Sequence, residues 1–392
     1  MSSPAEDAIR AEIAARGPIP FARFMALALG HPDGGYYTGP QVRPTRAGDY
    51  LTAPELHPIF GAALARQLEE AWQRLGRPDR FTLVEYGAGA GTLGLAVLAG
   101  LRDDRSPLAD ALVYAPVELN PHRMTELAER AASAGLRVVP APAATPAGAP
   151  VTGAIIANEF LDALPVHAVE IRDGLPWEVH VGVAADGLFE ELLLPLSTPE
   201  IETRLDALAA DGVSLPEGQR AELCLALDGW VAEVAATLAA GIVMVIDFGA
   251  GAQDLYGPRR RAGTLMTYRG HVADGSPDAP YRDIGERDLT AHVDTTTLAR
   301  LLSQAGLDVL GDTTQAELLA GCGLEDLLER ERGRVPNLAA ALLLRSAVMR
   351  LLNPRHLGSF RVVIAGRGMT GVPPLRGLAR RTGTGGTRHG SG

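Results

Sequence analysis

Four segments of the chain carry residue types and spacings that can do chemistry. The first is Leu83-Val84-Glu85-Tyr86-Gly87-Ala88-Gly89-Ala90-Gly91-Thr92-Leu93-Gly94, where an apolar run ends in an acid and three glycines alternate after it. Glycine lets the backbone turn sharply and lets a ligand approach where a Cβ would otherwise stand. A helix expected to start near Thr92 offers free N–H groups behind the loop. The second is Pro116-Val117-Glu118-Leu119-Asn120, where Glu118 stands at the end of a strand; a carboxylate there can accept from both hydroxyls of a ribose. The third is Ala157-Asn158-Glu159-Phe160-Leu161-Asp162-Ala163-Leu164-Pro165-Val166-His167. Its acids suit a cationic or hydroxylated group, and paired carboxylates favour a guanidinium. The fourth is Gly48-Asp49-Tyr50-Leu51-Thr52-Ala53-Pro54-Glu55. Thr52 reads as a helix N-cap with Pro54 and Glu55 in the first turn, and Asp49, Thr52 and Glu55 are ligand candidates in the same loop.

The glycine loop admits two cofactor readings. Gly89 to Gly94 fits G-x-G-x-x-G, the dinucleotide fingerprint, which makes the chain an NAD(P)-dependent oxidoreductase. The wider pattern E-x-G-x-G-x-G fits the first motif of S-adenosylmethionine (SAM) methyltransferases better. There the strand-end acid lies near the amino-acid part of the cofactor, whereas it would repel a pyrophosphate. Other local matches lead nowhere. Asp247-Phe248-Gly249 occurs without the kinase lysine or HRD motif. The chain has no lysine, which excludes Schiff-base chemistry and a P-loop. His271 and His292 match no zinc spacing, so no metal is expected. Asp288 to Asp294 reads as a cap for the helix after it.

The elements that position these residues read as an α/β, doubly wound sheet. Apolar runs at 81–85, 111–117, 136–139, 153–157 and 242–246 are separated by helical stretches, the pattern of a parallel sheet with crossovers. Ligands bind at the strand C-termini of such sheets. Residues 166–194 alternate apolar and polar about the turn Arg172-Asp173-Gly174 and predict antiparallel strands. Helices are expected over 4–16, 21–29, 55–75, 199–210 and 217–240, with final strands at 307–310 and 360–365. The implied organisation is N-terminal helices with a substrate and cofactor loop (1–75), a core (76–165 and 241–367), an inserted α+β subdomain (166–240) and a disordered tail (368–392).

Composition limits the rest. The 392 residues are 46% hydrophobic and 21% charged, ordinary for a globular chain. The net charge of −11 gives no nonspecific attraction to phosphates, so no nucleic acid is expected. No apolar run reaches the roughly 18 residues of a membrane span. Glu6, Asp7 and Glu12 do not suit a secretory or mitochondrial leader, which makes the cytoplasm the default. Cys224 and Cys322 form no disulfide framework and no CxxC site.

The motifs GPIPFARFM, HPDGGYY, GDYLTAPE, LVEYGAGAGTL, ANEFLDALPVH, IDFG, TLMTYRGH, DLTAHVD and TTQAELL follow one another between about residues 9 and 366. In this the chain resembles the MidA-type SAM-dependent methyltransferases. These include bacterial proteins and a mitochondrial complex I assembly factor understood to methylate an arginine of a core subunit. The resemblance implies a class I (Rossmann-like) methyltransferase fold with N-terminal and inserted additions. It implies a SAM loop at Gly87, Gly89 and Gly91, flanking acids Glu85 and Glu118, and a further motif at Asn158, Glu159 and Asp162. The family loop commonly reads E-L-G-P-G-R-G-T; here Tyr86, Ala88 and Ala90 replace the Leu, Pro and Arg. The leading expectation is N-methylation of a protein arginine, with Glu159, Glu55 and Asp162 as catalytic acids. Glu85, Gly87, Gly89, Gly91, Glu118, Asn158 and Thr52 are expected to hold SAM. The rivals are a SAM-binding assembly factor that works by holding a partner, and the oxidoreductase. The resemblance also implies a protein substrate, with a respiratory complex I subunit as one candidate, and is compatible with a homodimer.

Overall fold

The computed structural model of the chain describes residues 2–39, 52–141, 149–270, 272–369 and 373–379. Asp49 and His271 lie outside the described residues.

Helices α1 (Pro4–Arg16) and α2 (Phe21–Gly30) open the chain. Ser3 caps α1 by accepting from the Glu6 amide, and Gly17 ends it at φ 82°. The helix expected over 55–75 is broken: Ala53–Leu56 forms one turn, and α3 runs over Ile59–Arg74. His57 precedes Pro58 and is extended at φ −166°, because a residue before proline is pushed out of the α region.

Six strands form the central sheet: β1 (Phe81–Tyr86), β2 (Leu112–Val117), β3 (Val151–Asn158), β4 (Leu238–Asp247), β5 (Asp308–Thr314) and β6 (Arg361–Arg367). Their order is β5-β6-β4-β3-β1-β2. β2, β1, β3 and β4 pair in parallel, as expected. β6 runs antiparallel to both β4 and β5, a reversal that the apolar runs did not reveal. Residues 136–139 add only a parallel bridge from Val138 to Tyr114 at the β2 edge. Side chains alternate between two cores. Leu83, Tyr114, Ile156 and Ile242 face one, and Val84, Ala115, Ile155 and Val243 face the other. Chain order reverses between β1 and β3, which makes their C-terminal ends the crevice of the sheet.

α4 (Thr92–Asp103) and α5 (Pro121–Ala134) follow β1 and β2. α4 lies close against α3 through small residues: a Cβ at Gly61 would stand 2.4 Å from the Ala96 Cβ, and one at Gly100 would stand 2.6 Å from the Ala62 Cα. The expected antiparallel strands lie at His167–Arg172, Leu175–Val183 and Phe189–Leu194. They join Arg220–Leu223 and Ile19–Pro20 in a second sheet, which packs its apolar face on α1 and α2. The helix expected over 217–240 is shorter, because residues 220–223 pair with 167–170 instead. What remains is α6 (Ala226–Thr237), packed on the central sheet through Leu227, Val231 and Val234. α7 (Thr295–Gln304) and α8 (Leu338–Leu352) follow β4 and β5. Of the expected tail, residues 373–379 are described, and the Gly377 amide donates to Gln67 on α3 at 2.9 Å. Residues 370–372 and 380–392 lie outside the described residues.

The close α3–α4 contact sets a first test. Gly100→Val is expected to cost about 1–3 kcal/mol through overpacking, read as a lower midpoint in denaturant unfolding. An unchanged midpoint would mean that the two helices part freely.

Candidate active site

A cavity of about 770 Å³ opens at the C-terminal ends of β1, β2 and β3. That is the size range of small-molecule sites. Thr52, Glu55, Glu85, Gly87, Gly89, Glu118, Asn158, Glu159 and Asp162 all line it. Gly91 sits behind the loop, where a Cβ would meet Leu127 Cγ at 2.9 Å. His167 is elsewhere: its Nδ1 pairs with the buried Glu178 at 2.7 Å in the second sheet.

On one side lies the glycine loop. Gly87, Gly89 and Gly91 have φ of 67°, 53° and 74°, a region that costs other residues steric strain. A Cβ at Gly89 would meet no protein atom within 4 Å, so the loop is open to a ligand there. Glu118 spans two backbone amides, accepting from Gly89 and from Asn120 at 2.8 Å each. Asn120 Oδ1 accepts from the His122 and Arg123 amides and so caps α5. Its Nδ2 donates to the Tyr37 carbonyl at 2.9 Å, tying the N-terminal segment to the site. Arg130 donates to the Ala90 carbonyl at 2.8 Å, bracing the loop from α5. Glu85 is buried beneath the loop. Burial pushes its carboxyl up to about 8, while hydrogen bonds from the Tyr114 hydroxyl (2.6 Å) and the Gly94 amide oppose the rise.

On the other side lies a cluster of acids. Glu159 follows β3 at φ 52°, uncommon for a residue with a side chain. Its Oε1 accepts from the Ala53 amide at 2.9 Å and from Asn158 Nδ2 at 3.2 Å. Its Oε2 is buried with no hydrogen-bond partner, as is the Asn158 Oδ1. Burial pushes Glu159 up to about 8, with the Asp247 and Glu55 carboxylates adding to the rise. Burial also raises Glu55, against hydrogen bonds from the Thr52 amide and hydroxyl. Asp162 is raised by burial and by Asp247, Asp288 and Glu159.

Asp247 ends β4. Its Oδ2 accepts from the Phe160, Leu161 and Asp162 amides at 3.1, 2.8 and 3.3 Å, and its Oδ1 from the Phe248 amide at 2.8 Å. Burial raises it too, but these four donors oppose the rise, so Asp247 rather than Asp162 carries the charge. Among the described residues, Glu159, Asp162 and Asp247 make no ion pair. No group of metal-ligating side chains is found among the described residues either.

Sequence reasoning missed several residues that line the cavity or support it from behind. Asp247 stands at a strand C-terminus like Glu85 and Glu118, and that rule alone would have flagged it. Asp288 was expected to help cap α7. The cap is Asp294, which accepts from the Thr296 and Thr297 amides. Asp288 instead lines the cavity and accepts from the Tyr37 hydroxyl at 2.7 Å. Tyr268 and Trp230 line it as well.

Known proteins resemble the chain in sequence and fold. Residues 63–313 match the sequence profile of an S-adenosyl-L-methionine-dependent methyltransferase family. A Burkholderia thailandensis protein solved with S-adenosyl-homocysteine bound superposes with a TM-score of 0.81 at 32% identity, covering 95% of this chain and 94% of that one. The chain belongs to this methyltransferase family. The mitochondrial protein arginine methyltransferase NDUFAF7 homolog of Drosophila melanogaster is 28% identical over 381 residues, 90% of this chain and 82% of its own. The human protein arginine methyltransferase NDUFAF7 is 26% identical, over 88% and 79%. The chain is thus a SAM-dependent methyltransferase of the class I fold, and the oxidoreductase reading finds no support. The residues fit the cofactor. The loop opens at Gly89, the Glu118 carboxylate lines the cavity after β2, and the Asn158 Oδ1 lacks a donor.

Two tests follow from this geometry. Gly89→Val places a branched side chain in the opening of the loop. S-adenosylhomocysteine binding by calorimetry is expected to weaken by more than ~10-fold, with the circular dichroism spectrum kept. Binding within twofold of the unsubstituted chain would place the cofactor elsewhere. The second test concerns pH. Glu159 titrates near 8 when folded and near its ordinary 4.5 when unfolded. The folded chain therefore keeps a proton that the unfolded chain has lost, and stability falls as pH rises through that window. The melting temperature of the cofactor-free protein is expected to drop between pH 5.5 and 8.5, with a shallower slope in Glu159→Gln. Equal slopes would refute the assignment.

Proposed function

We propose that the enzyme methylates a guanidinium nitrogen of an arginine in a protein. The observation that carries this reading is Glu159: half-buried, at positive φ, with one buried carboxylate oxygen unpartnered and the Asp247 and Glu55 carboxylates as its charged neighbours. A neutral acceptor gains little from such a site. A guanidinium brings the charge and the paired donors that carboxylates match. The names of the animal relatives as protein arginine methyltransferases support the same acceptor.

SAM, when bound, supplies an electrophilic methyl group whose bonding pair leaves with sulfur. The chain's own part is positioning and charge. Glu118 and the loop at Gly87, Gly89 and Gly91 hold the cofactor, with Glu85 beneath them and Asn158 and Thr52 at the rim. Glu159 holds the guanidinium through Oε2, with Asp162 and Glu55 lining its approach. As the N–CH3 bond forms, the nitrogen gives up a proton, and the Glu159 carboxylate accepts it; an acid near neutral pKa is suited to that transfer. In-line placement supplies the remainder of the rate.

A respiratory complex I subunit as substrate, a cytoplasmic location and a homodimer belong to this reading. Among the described residues no helix is long and apolar enough to cross a membrane. The animal relatives are named as mitochondrial.

The test uses SAM labelled in its methyl group and an extract of the host lacking the enzyme, with mass spectrometry of the products. Methylarginine is the expected product. Glu159→Gln is expected to lower its formation at least ~100-fold, with S-adenosylhomocysteine affinity within threefold. Label on another residue type, or full turnover by the variant, overturns the reading. A variant that is inactive in the assay yet supports the cell would favour the partner-holding role.

A further inference from the structure

Charge is divided unevenly along this acidic chain. Residues 332–392 contain eleven arginines and no Asp or Glu. Helix α8 lies in this stretch and is firmly built. Asn337 caps it by accepting from the Ala340 amide at 2.9 Å, and Leu344, Val348 and Leu351 bury one face in the core. The opposite face is apolar yet bare. Leu338, Leu342, Leu343 and Met349 are between 55% and 75% exposed. Leu338, Leu342 and Met349 fall four and seven residues apart and so form one ridge.

Arg345 stands on that ridge, and Arg350 lies beside it with Leu343 and Ser346. Arg332 and Arg355 flank the helix ends. All four arginines are exposed, and none makes an ion pair among the described residues. Other arginines of the stretch are engaged: Arg334 with Asp103, Arg361 with Asp312 and Arg376 with Glu70.

We infer that the bare face of α8 docks on the surface of an anionic phospholipid bilayer. An exposed apolar ridge edged by long cationic side chains suits the boundary between acyl chains and headgroups. There leucines and methionine enter the apolar layer and arginines reach back to phosphate. The charge pattern selects this occupant over a second copy. A symmetric seam would bring Arg345 and Arg350 toward their own counterparts, with no acid on the helix to oppose them. It also disfavours nucleic acid, whose phosphates would leave the four apolar side chains in water. The proposal concerns attachment to the surface, not insertion, and does not rest on the choice of methyl acceptor.

Sedimentation of the full chain with vesicles tests it. Binding is expected to phosphatidylcholine vesicles containing 30% phosphatidylglycerol, and not to pure phosphatidylcholine. It should weaken on going from 0.1 to 0.5 M NaCl. Each arginine near an anionic surface contributes about 1 kcal/mol, roughly a fivefold factor in partitioning. Arg345→Ser with Arg350→Ser should therefore lower partitioning more than ~10-fold, and Leu342→Ser with Met349→Ser should abolish it. Both pairs are exposed, so their melting temperatures should match the unsubstituted chain. Absence of binding to the anionic vesicles overturns the proposal, as does binding that both double variants keep. A dimer by light scattering that Leu342→Ser with Met349→Ser splits into monomers also overturns it, because a second copy then covers the face.

Discussion

The four N–H groups collected by the Asp247 carboxylate are the constraint on which the acidic side of the cavity depends. Three of them belong to Phe160, Leu161 and Asp162, where the chain has left β3 and has no sheet partner to meet. Buried and unpaired, each would cost about 1–3 kcal/mol. Meeting one oxygen, they require a tight bend directly after β3, and Glu159 is the residue that must turn through positive φ to make it. Its strain is thus offset by bonds its neighbours make. The fourth donor, Phe248, fixes Asp247 itself, so β3 and β4 hold the bend between them.

The glycine-loop side is held by the same device. Glu118 at the end of β2 takes the Gly89 and Asn120 amides and so joins the glycine loop to the cap of α5. Asn120 then reaches the Tyr37 carbonyl, and the Tyr37 hydroxyl reaches Asp288. One path of hydrogen bonds runs from the loop, through the N-terminal segment, to the acid cluster. The second sheet packs on α1 and α2 and supports the segment that closes this path.

Much of this was legible in the sequence where a single residue type was obligatory. Positive φ strongly favours glycine, so Gly87, Gly89 and Gly91 announced the loop. Gly17-Pro18 marked the end of α1, where the helix over 4–16 stops. Glu118 followed from the rule that strand C-termini face the crevice. What stayed hidden was decided by distant partners. β6 is as apolar as its parallel neighbours, so its direction left no mark on its composition. Residues 220–223 read as helix until the strand at 167–170 was there to pair with them. Asp288 and Asp294 lie in one short segment, and their spacing could not assign one to a cap and the other to the cavity. The partner that decides Asp288 is Tyr37, 251 residues away.

The acid cluster gains its meaning from what it lacks. Glu159, Asp162 and Asp247 are buried together, and each raises the pKa of its neighbours or is raised by burial itself. An ordinary core would replace such groups with apolar ones, since clustered carboxyls cost stability without pairing. Protons neutralise part of the cost while the cavity is empty. A cation entering the cavity displaces them and turns the same proximity into attraction, stronger for the low dielectric that made it costly. A neutral guest of the same shape leaves the protons in place and gains only hydrogen bonds. On the proposed acceptor, discrimination is therefore made by charge before it is made by fit. It also explains why the bend at Glu159 must be held by Asp247 in advance: a carboxylate free to swing into solvent would relieve its own burial and lose its preference for the cation.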